Sequence, residues 1–459
     1  MKKIYCISLI LATSLAFTSC VKEEDDIFGK TAAERLNEAS DLYSGRLMAS
    51  HNGWAMQLYP TTQNEYPYGN GYLLLCRFNA DHSVNVSMDN VFSNNQYAED
   101  TSLWEVITDN GPVLSFNSYN KCLHAFSDPY DLSFTGDENQ ANNETGTGAE
   151  GDYEFIIVDA PEDASYMMLK GKKRGTYNLL TPIEEGVQYA DYLADVKAFQ
   201  NKMFAANAPT FNVFHLGDSL YKMTGANDGI PNIYPYDGDE IIDESFNAFL
   251  ITKRGDSYYL RFRDEVDENV QEFVYKPEED IFQSEAYPNY FIEGDNPLRF
   301  FSNTLGNASF KWVVYEQSDK TAPMFQTLAS QLEATSSKNV KIALEQVLIS
   351  TLADRIVLQV AYTSKVAKQG TLHKQFYYAF NAETSGDALK LTYVEPTGKN
   401  TEEISASGNA LNTFSALNEI ISFLGQNLRV DGADTRFNLN NVKLISSSDA
   451  DAWINVKAN

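Results

Sequence analysis

The strictest constraint on the fold of this chain is a period of two. Ile356, Leu358, Val360 and Tyr362 recur at every second position, as do Phe376, Tyr378 and Phe380, then Leu389, Leu391 and Tyr393. Successive side chains of a strand point to opposite faces, so each run turns one face toward a core. Three such runs in succession predict neighbouring strands of one antiparallel sheet. The first half shows the same period in Trp54, Met56 and Leu58, then Tyr72, Leu74, Cys76 and Phe78, a turn at "NADHS", and Val84, Val86 and Met88. Shorter pieces follow at Leu103 to Ile107, Val113 to Phe116, Asp152 to Val158, Tyr166 to Lys170 and Phe437 to Ile445. "FNAFLITKRGDSYYLRFR" predicts a hairpin turning at Arg254-Gly255-Asp256, and its RGD is a turn before it is an adhesion signal. Tyr and Phe number 27 each, a density that suits half-buried pleated surfaces. The expected class is α+β, mainly antiparallel β, with barrel-like or meander sheets each packed with a few helices.

Helical periodicity is confined to a few segments. Thr31 and Glu34 match a capping box, and Leu36, Ala39, Tyr43 and Leu47 share one face of a helix that Gly53 would stop. Tyr189, Tyr192, Val196, Phe199 and Met203 do the same over Tyr189 to Phe204. Phe414, Leu417, Ile421 and Leu424 mark another, ended by Gly425. "AANAPT" reads as a linker, which gives domains over 31–207 and 208–459, the second with room for two subdomains. The polar, glycine-rich stretch from Phe134 to Gly151 reads as a long loop or insertion.

The N-terminus reads as an address. Lys2 and Lys3 precede an apolar stretch from Ile4 to Phe17, and "FTSC" ends at Cys20. This is the pattern of a secretory signal over 1–19, too short for a comfortable transmembrane span. A cysteine at the expected cut is read as a lipidation point, against ordinary secretion with an incidental cysteine. Acyl chains contribute about 0.8 kcal/mol per buried CH₂, so several would hold Cys20 firmly on a membrane. Glu23, Glu24, Asp25 and Asp26 follow at once, and four consecutive carboxylates suit only a solvated tether, here 20–30. Their position resembles the export signal of Bacteroidota surface lipoproteins, which implies the outer face of the outer membrane. A plain acidic linker on a periplasm-facing lipoprotein is the alternative.

The formal net charge is −28, which argues against nucleic acid as a partner, because phosphate needs positive surface. Of four cysteines, Cys6 falls in the signal and Cys20 at the anchor, leaving Cys76 and Cys122 as a bridge or as two buried thiols. The histidines His51, His82, His124, His215 and His373 show no metal spacing, though His124 and Cys122 stand two apart in a strand-like stretch. No nucleophile elbow, phosphate loop or dinucleotide fingerprint occurs, so the chain is read as no enzyme and as needing no cofactor. "YDGDEIIDE" offers Asp237, Asp239, Glu240 and Asp243 as weak calcium candidates, against a solvated acidic loop. With 63 acidic residues, no opposed pair for glycoside hydrolysis can be singled out.

Tyrosines cluster in two loops rich in Pro, Gly and Asn. Tyr59, Tyr66, Tyr68 and Tyr72 lie on or beside the first, and Tyr234 and Tyr236 lie in "IPNIYPYDG". Exposed tyrosine faces stack on sugars or apolar ligands, and loops on a rigid sheet are common recognition sites, so these six are candidate ligand-binding residues. The competing reading packs the rings over the sheet ends.

Several segments together resemble a family of uncharacterised Bacteroidota lipoproteins, a domain of unknown function over most of the mature chain. They are "AAERL" (Ala32 to Leu36), "NGW" (Asn52 to Trp54), "GNGY" (Gly69 to Tyr72), "LSFNSYN" (Leu114 to Asn120), "LHAFSDP" (Leu123 to Pro129), "GDYEF" (Gly151 to Phe155) and "KGKK" (Lys170 to Lys173). Asn70 departs from the pattern, and the likeness is thin beyond residue 210. The resemblance carries over no catalytic residue. It implies genetic neighbours that include a TonB-dependent receptor, its lipoprotein lid and a zinc peptidase-like protein, and hence a part in nutrient capture. The expected function is an accessory binding lipoprotein of such an uptake system, taking a glycan, a peptide or a neighbouring protein. A scaffold without a small ligand and an unrecognised hydrolase are the alternatives.

Overall fold

The structure is a computed structural model, and it describes residues 30–62, 69–109, 111–128, 149–206, 210–238 and 248–459. The signal, Cys20 and Glu23 to Asp26 lie outside the described residues, as does the expected domain boundary at residue 207. Two compact units are present. The first takes the described residues up to Thr62 together with Tyr72–Tyr189, and the second takes Ala190–Asn459 with the described residues just before Tyr72.

The first unit opens with helix α1 (Ala32–Ala49), whose Thr31–Glu34 capping box forms as the sequence predicts. Only its second half packs against the sheet. Leu47 is fully buried and Leu36 is exposed, so the apolar face is shorter than its periodicity suggests. The Trp54 indole donates to the Leu47 carbonyl at 2.7 Å and ties the helix end to the first strand. Ser50, not Gly53, caps the helix.

Nine strands follow: β1 (Trp54–Leu58), β2 (Tyr72–Phe78), β3 (Ser83–Met88), β4 (Ala98–Leu103), β5 (Glu105–Thr108), β6 (Pro112–Ser115), β7 (Glu154–Asp159), β8 (Met167–Gly171) and β9 (Tyr177–Pro182). They form one antiparallel sheet in the order β4-β3-β2-β1-β9-β8-β7-β6-β5. Strands β4 and β5 are thus opposite edges, yet only Trp104 separates them in the chain. A flat sheet of this size would be ~38 Å across at the usual strand spacing. Two peptide steps reach ~7 Å. The sheet must therefore curl until its edges nearly meet, with Trp104 buried at the seam. The sequence reading of Leu103 to Ile107 as one strand is corrected here, because the chain crosses from one edge to the other inside it. The curled interior holds Trp54, Met56, Leu74, Cys76, Val86, Phe116, Phe155 and Leu169, with Leu47, Leu123 and Phe126 added from outside the strands.

Helix α2 (Tyr189–Met203), all but its first residue in the second unit, is followed by an eight-stranded antiparallel sheet whose first strand in the chain pairs with its last. Its strands are β10 (Asn212–Leu216), β11 (Ser219–Thr224), β12 (Asn232–Pro235), β13 (Phe249–Arg254), β14 (Ser257–Phe262), β15 (Glu272–Lys276), β16 (Ile281–Gln283) and β17 (Tyr290–Glu293). The β13–β14 hairpin turns where predicted, with Arg254 opposite Ser257 and Gly255 at φ +57°. Phe199 of α2 stacks on Tyr258 at 3.7 Å between ring centroids.

A closed antiparallel barrel completes the unit. It runs through β18 (Trp312–Gln317), β19 (Val340–Leu352), β20 (Arg355–Val366), β21 (Gly370–Ser385), β22 (Ala388–Thr397), β23 (Leu428–Gly432), β24 (Asn441–Ser446) and β25 (Asp449–Ala458). The three runs with the strict period of two are β20, β21 and β22, side by side as predicted. Leu358 lies opposite Tyr378, and Val360 opposite Phe376. Phe376 to Phe380 are buried without a break, so this segment is covered on both faces. Helices α3 (Pro297–Thr304), α4 (Ala322–Ala334), α5 (Thr401–Thr413) and α6 (Ser415–Leu424) share one apolar cluster with the barrel strands. The helix expected over Phe414 to Leu424 is α6, with Phe414 at its N-terminal cap, and α5 before it was not foreseen; the strand expected over Phe437 to Ile445 is β24, and a further strand, β25, closes the chain.

Candidate functional site

The expected tyrosines do not form one site. Tyr59 is fully buried, and Tyr72 is buried against Phe92 and Phe126, so neither offers a face to a ligand. The strand parity explains Tyr72: it shares a face with Leu74, Cys76 and Phe78, the core face. Tyr66 and Tyr68 lie outside the described residues. Tyr234 is half-buried on β12, and Tyr236 is exposed just beyond it, edge-on to Phe211. These two belong to the other compact unit. Asp237 is exposed, while Asp239, Glu240 and Asp243 lie outside the described residues. Among the described residues no group of three or more His, Cys, Asp or Glu side chains is placed to hold a metal ion. No described helix is long and apolar enough to cross a membrane. Cys76 and Cys122 are both buried free thiols. Burial raises the pKa of each, that of Cys122 to about 12.

Aromatic side chains do meet at the surface of the first unit, at residues the sequence reading passed over. Asn120 builds the spot. Its side-chain oxygen accepts from the Cys122 and Leu123 amides at 3.0 and 3.2 Å. Its side-chain nitrogen donates to Ser102 Oγ at 3.1 Å and reaches the Asp100 carbonyl at 3.3 Å, which fastens the loop to β4. The buried Asn120 thereby closes a tight turn, and the chain continues as a short 3₁₀ helix, His124–Phe126. The strand expected to carry both Cys122 and His124 is absent. Asn120 N donates to His124 Nδ1 at 3.1 Å, which fixes the ring and leaves its proton on Nε2. Burial holds the His124 pKa below the ordinary histidine value.

The fixed imidazole stacks on Tyr153, with ring centroids 5.3 Å apart and planes 20° apart. Tyr119 lies 5.2 Å from the same imidazole at 35°. Tyr119 is 64% exposed and Tyr153 48% exposed, so the three rings make an open platform. Single exposed aromatics need no explanation, but a ladder of three held by a buried asparagine is a built surface.

Beside it lies a cleft of about 380 Å³, lined by Ser127, Glu150 to Glu154 and Lys172 to Arg174. Tyr153 belongs to both platform and cleft. Two glycines let the walls close in. Gly151 N donates to the Phe126 carbonyl at 2.8 Å, and a Cβ at Gly151 would stand 2.5 Å from Phe126 Cβ. A Cβ at Gly171 would stand 2.2 Å from Asp152 Oδ2. Asp152 turns inward and accepts from the Lys173 and Arg174 amides at 3.1 and 2.9 Å. Desolvation nevertheless raises its pKa, against the pull of these bonds. Lys172 bridges Glu154 at 2.8 Å and Asp109 at 2.9 Å, and Arg174 pairs with Glu150 at 3.1 Å. The Nε of Arg174 is buried without a hydrogen-bond partner among the described residues. Three acidic and three basic side chains thus balance in the cleft of a chain whose net charge is −28.

Four of the segments that carry the family resemblance converge here: "LSFNSYN", "LHAFSDP", "GDYEF" and "KGKK" supply Tyr119, His124, Tyr153 and Lys172. The fold and this site together define a β-rich protein of curled antiparallel sheets with an aromatic platform beside a charge-balanced cleft. The chain belongs to the DUF4302 family, a domain of unknown function, which it matches over residues 24–276. No curated protein matches it. Among solved structures, the β subunit of DNA polymerase from Streptococcus pyogenes aligns at 9% identity and a TM-score of 0.12, over 91% of this chain and 97% of that one. The double mutant of transferrin binding protein B from Haemophilus parasuis aligns at 9% identity and a TM-score of 0.12, over 85% of this chain and 65% of that one. Scores of this size carry no argument about fold or function.

Proposed function

We propose that this chain is a lipid-anchored accessory binding component of an outer-membrane nutrient-uptake system, held at the cell surface, that binds its ligand without transforming it. The observation that carries the reading is the exposed Tyr119–His124–Tyr153 ladder opening onto the cleft around Asp152. Exposed aromatic rings beside convergent polar groups are the usual make-up of a recognition site. Cys20 supplies the anchor, and Glu23 to Asp26 the export signal, on the sequence reading above. The resemblance supplies the TonB-dependent receptor and its lid as partners.

A scaffold reading draws on one further observation. Ile156 and Val158 of β7 and Tyr177 of β9 are exposed apolar side chains on the same unit, and such groups can seat a neighbouring protein. An epitope-tagged chain pulled from gently solubilised outer membranes separates these cases. Co-purification of a receptor and its lid, weakened when nutrient is withdrawn, is the expected result. A chain found in the soluble periplasm without acyl modification would sink the anchored reading.

A further inference from the structure

We infer that the platform and cleft of the first unit bind an uncharged, hydroxyl-rich glycan. This deepens the binding reading above and rests on it. The lining of the cleft decides the class. Among the described residues, Tyr153 is the one large apolar side chain that lines it. A peptide held in register needs apolar pockets for alternate side chains or a free strand edge, and the cleft provides no such pocket. For a lipid or an apolar cofactor, Tyr153 is the one large apolar surface that the described lining offers.

Charge argues the next step. Lys172 is engaged with Glu154 and Asp109, and Arg174 with Glu150. Lys173 has no ion pair among the described residues, but the lining as a whole sets three acids against three bases and so offers an ionic ligand no net charge to draw it in. A hydroxyl can instead donate to a spare carboxylate lone pair and accept from a spare ammonium or guanidinium hydrogen, with every existing pair kept.

The platform completes the fit. A sugar ring has an apolar C–H face and a rim of hydroxyls, and Tyr119 and Tyr153 offer rigid apolar faces next to polar groups. His124 is a neutral spacer in this ladder, because its Nδ1 is taken by the Asn120 amide. One ring stacked on Tyr153 therefore directs its hydroxyl rim into the cleft, and a neighbouring ring meets Tyr119.

The test uses the full-length chain, purified from membranes in a non-glycosidic detergent. It is titrated by calorimetry with neutral hexasaccharides of glucose, mannose and xylose, with oligogalacturonate, and with a tryptic casein digest. Binding of at least one neutral hexasaccharide is expected, weakened about tenfold or more by Tyr119→Ala and by Tyr153→Ala, with unchanged thermal unfolding of both variants. Binding of oligogalacturonate in place of neutral sugar would overturn the uncharged class, and binding of peptides instead would overturn the glycan class; either, lost in Tyr153→Ala, would leave the binding reading standing. Neutral-sugar binding that both variants retain would overturn the site. Silence toward every probe would overturn the inference and remove the main support for a small-ligand binding protein.

Discussion

Gly151 and Phe126 meet backbone to backbone: the glycine amide donates to the phenylalanine carbonyl at 2.8 Å, and no room remains for a side chain at residue 151. This contact joins the His124 turn to the segment, just before β7, that carries Asp152 and Tyr153. Phe126 cannot yield, because its ring is wedged against Tyr72 and Phe92 in the core. Gly151→Ala should therefore push the two walls of the cleft apart. We expect a loss of about 1–3 kcal/mol, the usual cost of overpacking. Denaturant unfolding followed by tryptophan fluorescence measures it, and unchanged stability would refute the close approach.

His124 makes the platform sensitive to pH in a definite direction. Burial lowers its pKa in the folded state, so the unfolded chain takes up the proton first as pH falls. The contribution of this residue to stability is complete above the ordinary histidine value near 6.5 and declines below it. Protonation also removes the acceptor at Nδ1 that the Asn120 amide uses. Thermal melts between pH 7 and pH 5 should fall more steeply for the wild type than for His124→Phe, which keeps a ring and loses the titration. Parallel slopes would show that His124 is not held neutral.

The periodic elements were legible in the residues, and the site was not. Thr31 and Glu34 announce a helix start because a hydroxyl and a carboxylate at that spacing reach each other's amides. Leu358, Tyr378 and Leu391 announce barrel strands because alternation survives any tertiary context that buries one face. Helices α3, α4 and α5 escaped, the first two despite Pro297 and Pro323 near their starts; α3 is a short helix, while the buried face of α4 at Met324, Phe325, Leu328 and Leu332 follows a helical spacing that the strand-like runs around it obscured. Trp104 reads as the middle of a strand, although it is the seam between two sheet edges. Nothing local encodes which edges a curled sheet brings together.

The platform escaped for a related reason. Tyr119 and Tyr153 come from segments far apart in the chain, with no shared period, and they meet only because the buried Asn120 folds its loop onto β4. Aromatic density pointed instead to Tyr59 and Tyr72. Alternation already assigned Tyr72 to the core face, and it outweighed the loop composition around it.

The two thiols give a third expectation. Cys76 and Cys122 are free and inaccessible, and desolvation raises the pKa of both. A thiolate is the reactive form, so neither should react with an aromatic disulfide reagent in the native state. Both should react once the chain is unfolded in denaturant without reductant, and reductant should leave the melting temperature unchanged. A chain that yields no thiol after unfolding would carry a bridge between them.

In the second unit, Asp280 fastens the segment after β23 onto the eight-stranded sheet. Its carboxylate accepts from Thr435 Oγ1 at 3.0 Å, from the Arg436 amide at 2.7 Å and from the Tyr275 hydroxyl at 2.8 Å. Arg436 reaches on to Glu293 at 3.4 Å, and Phe437 packs edge-on against Phe204 and Phe282. Removing the carboxylate strands an amide and two hydroxyls that are largely shielded from water. Asp280→Ala should thus cost about 3 kcal/mol, since hydrogen bonds to a charged acceptor are the strong ones and their orphaned donors carry a further penalty. Asp280→Asn keeps one acceptor oxygen and should cost less. Chemical denaturation of the two variants decides it: equal losses would mean that the charge matters and the shape does not, while no loss in either would mean that Phe437 alone holds the segment in place.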